Sequence, residues 1–150
     1  MRTDAHRARH VDMTVTAIRL VYIFAAVIDA AIGVLLLLPE ALAEMLGLAY
    51  LPARPAERLA LGMTAAMLVG WTSLLLWAAA SPIERRGVLL LTIFPVITGL
   101  ALSVLLGWSM SYISTTGAAQ VWSLQALLVG ILGWAFHSAW RIANIDQPHP

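Results

Sequence analysis

Cysteine is absent from this 150-residue chain, so disulfides, thiolate metal sites, iron–sulfur clusters and thiol redox chemistry are excluded. Lysine is absent as well, and all nine basic residues are Arg. Charge of either sign is scarce, at 11% of residues against about 25% in soluble globular chains. With 61% of residues hydrophobic, too few charges remain to give four water-soluble helices a polar face each. No long like-charge run occurs, so nothing points to nucleic acid as a partner. The length suits a single domain over residues 1–150.

Long apolar runs are abundant. A helix needs about 20 mostly apolar residues to cross a hydrocarbon core roughly 30 Å thick. Four runs qualify, at about 14–38, 59–80, 88–110 and 118–140. Backbone groups in lipid must bond within their own segment, so each run is predicted to be helical. The expected fold is all-α, a transmembrane four-helix bundle whose main partner is the lipid bilayer. The first run is followed by Ala41-Leu42-Ala43, which resembles a signal-peptide cleavage site. However, the run is longer than a signal peptide's apolar core and Asp29 interrupts it, so a retained span is expected.

Arginine placement sets the expected orientation. Arg2, Arg7, Arg9, Arg19, Arg85, Arg86 and Arg141 fall on one side, and only Arg54 and Arg58 on the other. The positive-inside rule then places both termini in the cytoplasm of a bacterial inner-membrane protein. Trp108, Tyr112 and Trp122 bracket the uncharged outer loop 111–120, and Trp77 and Trp140 mark the inner boundary. In the first outer loop, Pro39-Glu40 opens like a helix start. Leu42, Met45, Leu46 and Leu48 recur near helical spacing before Gly47 and Pro52 break the pattern. A short interfacial helix is expected there, more as a connector than as a lid over a pocket.

Small residues recur every fourth position in three spans: Ala25-Asp29-Gly33, Gly62-Ala66-Gly70, and Pro95-Gly99-Ser103-Gly107. In the fourth, Gly130 and Gly133 share a face with His137. Because lipid gives helices no hydrophobic drive to associate, such stripes are expected to bring helices of the bundle together. The alternative is that some face a second copy or a larger membrane complex. Pro95 is expected to kink the third span.

Asp29 is the leading candidate site residue. An ionisable group near mid-membrane is costly, usually faces protein or water, and could bind and release a proton. At about 1.5 Å per residue, aligned span ends put Ala66–Gly70, Ser103 and Gln125–Leu128 at its depth. Ser103 and Gln125 are thus candidate partners, with Thr98 and Trp71 about one turn deeper. Arg19, Tyr22 and His137 form a separate inner group, expected to be interfacial anchors, and depth rules out a direct Asp29–His137 couple. Bis-His haem ligation needs two intramembrane His, and only His137 qualifies. No zinc constellation, phosphate loop or catalytic triad is visible, so no metal, cofactor or catalytic residue is expected.

The run Leu35-Leu36-Leu37-Leu38-Pro39, the Leu46-Gly47-Leu48 segment and Arg58-Leu59-Ala60-Leu61-Gly62, with the later Pro82-Ile83-Glu84-Arg85-Arg86 loop, resemble the DoxX-like and BphX-like small bacterial membrane proteins. The resemblance covers the first two spans and the inner loop; it implies a four-span fold and carries no functional residue. Tyr22, Ala26, Asp29 and Gly33 are also similar in arrangement to the first helix of small multidrug transporters, where one acid binds protons and cationic drugs. This chain departs from them in having Asp for Glu, a long first outer loop and a decided Arg bias. Two functions follow as the main expectations, with a membrane enzyme acting on lipid or quinone as a residual third. One is a non-enzymatic accessory or assembly subunit or lipid-like ligand binder; the other is a proton-coupled transporter or channel using Asp29.

Overall fold

The computed structural model describes residues 2–46 and 54–145. Five helices, with no strand among the described residues, follow in chain order: α1 (Arg2–Leu36), α2 (Pro39–Leu46), α3 (Pro55–Ala80), α4 (Gly87–Ser109) and α5 (Thr115–Ile145). Four of them are long and apolar enough to cross a bilayer, over Val11–Leu36, Pro55–Ala80, Gly87–Ser109 and Thr115–Asn144. At 35 residues α1 is about 52 Å long, so its first turns extend past a core of about 30 Å. The outward surface is apolar: Met67 is 77% exposed and Phe94 70%. Such a surface suits lipid and would aggregate in water. The chain is a multi-pass membrane protein with a four-helix bundle.

Local chemistry explains the helix ends. The last turn of α1 tightens through bonds from the Leu37 and Leu38 amides to the Val34 and Leu35 carbonyls, both 3.0 Å, before Pro39 starts α2. Pro55 opens α3, where its missing N–H costs nothing. The Glu57 carboxylate accepts the Arg54 amide at 2.9 Å, and this cap lets α3 begin four residues before the apolar run at Leu59. Leu48, the last of the expected apolar positions, and Gly47 and Pro52, the expected break, lie outside the described residues.

Pro95 produces a change of helix type. Residues Thr92–Ile97 form a π-helical segment within α4. The wider turn accommodates a residue that cannot donate to the preceding carbonyl, and the Thr98 hydroxyl donates to the Ile93 carbonyl at 3.2 Å. On the opposite side of the membrane from the chain termini, α4 turns into α5 through a tight connection. Ser111 takes a left-handed conformation (φ 61°), and the Tyr112 and Ile113 amides both return to the Gly107 carbonyl, at 2.9 and 3.3 Å. A Cβ on Gly107 would sit 2.7 Å from Ile113 Cδ1. Gly107→Val is therefore expected to destabilise the protein by about 1–3 kcal/mol, read as an earlier unfolding midpoint in mixed micelles. An unchanged midpoint would mean that Ile113 swings away at no cost.

The core lies mainly in the half of the bundle nearest the termini. Ile18, Tyr22, Leu75, Ala78, Leu89, Leu132, Ala135 and Ala139 are almost fully buried there. α1 packs most extensively on α3 and next on α5, α4 packs on α5, and α2 reaches from α1 across to α5. Towards the α2 side fewer residues are buried, Ala43 and Ala118 among them, and a groove runs along α1 and α3.

Candidate functional site: an intramembrane acid beside a lateral groove

Gly33 brings α1 and α3 close together: a Cβ there would stand 3.6 Å from Leu68 Cβ and 3.9 Å from the Ala65 carbonyl oxygen. The helices run antiparallel, so four residues back along α1 from Gly33 and four residues on along α3 from Leu68 also meet. Those residues are Asp29 and Thr72. The Thr72 hydroxyl donates to Asp29 Oδ2 at 2.7 Å, joining the two helices inside the membrane. The bond satisfies one lone pair of the half-buried acid in a medium where an unpaired one is costly.

Asp29 separates two spaces. On one side is a small, partly open pocket of about 60 Å³ between all four spans, walled by Asp29, Trp71, Thr92, Val96, Leu100 and Leu128 among others. Trp71 Nε1 is buried with no acceptor among the described residues. The pocket exceeds the roughly 10–15 Å³ that one water requires, and its lining is almost wholly apolar. On the other side, Thr72 forms the deep end of a lateral groove between α1 and α3. This groove holds about 500 Å³, with a floor of small residues, Gly33, Gly62, Ala65 and Ala66, and walls of Val34, Leu37 and Val69.

The other candidate residues separate into different environments. Ser103 and Thr98 are exposed on the lipid-facing surface and donate to their own helix, at the Gly99 and Ile93 carbonyls. They do not join Asp29. Gln125 is buried, its Oε1 has no partner among the described residues, and it stands one turn from Leu128 on α5. The partner that sequence reasoning missed is Thr72. Aligned span ends pair Asp29 with Leu68, whereas the structure pairs it with Thr72, four residues or about 6 Å further along. The stagger carries the first turns of α3, from Pro55, past the end of α1 at Leu36.

The small-residue stripes also differ from expectation. Ala25 and Gly33 are buried against neighbouring helices, and Gly107 packs on Ile113. Gly62, Gly70, Gly99, Gly130 and Gly133 have nothing within 4 Å of a notional Cβ, and Ala66 is exposed. The stripe on α3 therefore forms groove floor and outer surface and does not hold the bundle together. α1 meets α3 through the face that carries Ala65, Leu68 and Thr72.

The inner polar group divides in two. Arg19 Nε donates to the Ala79 carbonyl at 3.1 Å, and the buried Tyr22 hydroxyl to the Arg85 carbonyl at 2.9 Å. Both tie α1 to the end of α3 and the loop after it. Arg85 in turn donates to the Trp77 carbonyl and lies 3.7 Å from the Trp77 ring centroid, a cation–π contact that stiffens the loop. His137 stands apart, exposed and stacked on Trp140 with ring centroids 6.5 Å apart.

Fold and site together define a class: a four-span helical membrane protein with one hydrogen-bonded intramembrane acid and a lipid-facing groove. No protein-family model matches the chain, and neither does any curated protein or solved structure.

Proposed function

We propose that this is a non-enzymatic inner-membrane protein, with both termini in the cytoplasm, that binds a lipid-like chain in the groove between α1 and α3. The groove's dimensions carry this reading. From Gly62 to Ser73 it follows α3 for about 16 Å, close to half of a hydrocarbon core of about 30 Å. Spread over that length, about 500 Å³ gives a cross-section of roughly 30 Å². A helix about 10 Å across occupies roughly 80 Å², so the trough fits a single alkyl chain of one leaflet. Its lining is almost wholly apolar, with Thr72 and Ser73 as the polar end, and both hydroxyls are already bonded within the protein.

Ala66→Phe tests the reading, because Ala66 is exposed in the groove and a ring there fills the trough without entering the core. Native mass spectrometry of the full-length protein is expected to show co-purifying lipid on the unsubstituted chain and about tenfold less on the variant, at equal stability. Equal lipid on both would remove the groove as the binding site. A second reading, a proton-coupled transporter or channel, is favoured by one observation: Asp29 lines a pocket between the spans together with Trp71, whose Nε1 is buried with no partner among the described residues. Under that reading Asp29→Asn abolishes pH-dependent ligand binding or flux in proteoliposomes. Under the lipid-binding reading it leaves ligand retention intact.

A further inference from the structure

We propose that the occupant of the groove is a glycerophospholipid whose phosphodiester is bound by Arg58. The proposal rests on the lipid-chain reading above and adds the headgroup chemistry to it. The apolar trough continues towards the α2 side into a second pocket of about 210 Å³, and Leu37 and Gly62 line both. There the lining changes character, since Pro39 and Glu40 of α2 and Arg58 of α3 replace aliphatic walls. Arg58 stands four residues beyond Gly62, about 6 Å past the mouth of a trough that spans one leaflet. That is the depth at which a lipid headgroup lies when its chain occupies the trough.

Charge and exposure point the same way. The Arg58 amide bonds to the Arg54 carbonyl at 3.0 Å, and its exposed side chain lines the pocket. A guanidinium matches the paired oxygens of a phosphate in a bidentate fork and is the less strongly hydrated of the two basic side chains. Arg58 also belongs to the side of the membrane that carries few Arg, so this cation is not one of the dense set expected to fix orientation.

The test uses the full chain in detergent, loaded with phosphatidylethanolamine, phosphatidylglycerol or diacylglycerol of identical chains and read by native mass spectrometry. Both phosphodiester lipids are expected to be retained about tenfold more than diacylglycerol, and Arg58→Gln to bring them down to the diacylglycerol level. Diacylglycerol retention should be the same in both proteins. Should Arg58→Gln fail to fold, Arg58→Lys, which keeps the charge and loses the fork, is expected to retain phospholipid at an intermediate level. Equal retention of diacylglycerol and phospholipid by the unsubstituted protein overturns the headgroup assignment and leaves the lipid-chain reading standing. So does undiminished phospholipid retention in the folded Arg58→Gln or Arg58→Lys protein. Retention of no lipid at all overturns both, and a lipid-free dimer dispersed by Ala66→Phe would assign the trough to a second copy instead.

Discussion

Ala78→Leu is expected to destabilise this protein by about 3 kcal/mol or to prevent its accumulation in the membrane. Ala78, Ala135 and Ala139 each have 0% of their surface exposed, in the same cluster as the buried Tyr22 and Ile18. Inside lipid the spans gain nothing from hiding apolar surface from water, so their association depends on the close packing these alanines permit. Three added carbons have no space to enter, and overpacking of a tight core costs about 1–3 kcal/mol, occasionally more. The added bulk would also push α3 off α1 and strain the bonds from Arg19 to the Ala79 carbonyl and from Tyr22 to the Arg85 carbonyl. Unfolding in mixed micelles measures the effect, with Ala66→Leu on the exposed face of the same helix as a near-neutral control. Equal midpoints for the two variants would show that the buried end is looser than its zero exposure implies.

Thr72→Val should cost about 1–2 kcal/mol by leaving Asp29 without its donor in a low-dielectric setting. Asp29→Asn keeps an acceptor oxygen facing Thr72 and is expected to cost less. A double-mutant cycle with Thr72→Val and Asp29→Leu isolates the pair, and removal of both groups should be milder than the sum of the two losses. Strict additivity would mean that the 2.7 Å contact contributes nothing to folding. The same variants bear on function. If proton-coupled flux exists and requires Asp29, it is lost in Asp29→Asn while the micellar stability changes little, and that separation distinguishes a working acid from a structural one.

Much of this arrangement is legible in the residues. The four spans are plain because runs of about 20 apolar residues have one backbone solution in lipid. The short helix at Pro39 is readable from its proline and the glutamate after it, and the disturbance in α4 from Pro95. Asp29 stands out because a single acid in an apolar run has to find a partner. Its identity as Thr72 is not readable, because α3 offers Thr64, Thr72 and Ser73, and only the stagger selects among them. Likewise Gly62-Ala66-Gly70 has the spacing of a packing stripe, yet the neighbouring face with Ala65, Leu68 and Thr72 is the one that meets α1. The stripe is the smaller of the two faces, so side-chain size by itself points to the wrong one.

The order of residues by itself determined that this chain dissolves in a membrane, how many times it crosses and where an ionisable group lies along the first span. Those properties depend on transfer of each segment from water to lipid, a sum over neighbouring residues that needs no knowledge of any other helix. Tertiary structure alone decided that Asp29 meets Thr72, that Ser103 and Thr98 face lipid, and that a trough ending near Arg58 opens between α1 and α3. These depend on rotation and axial stagger between helices. Close packing of small side chains and a few hydrogen bonds set both, and shifts of a single turn exchange which residues touch.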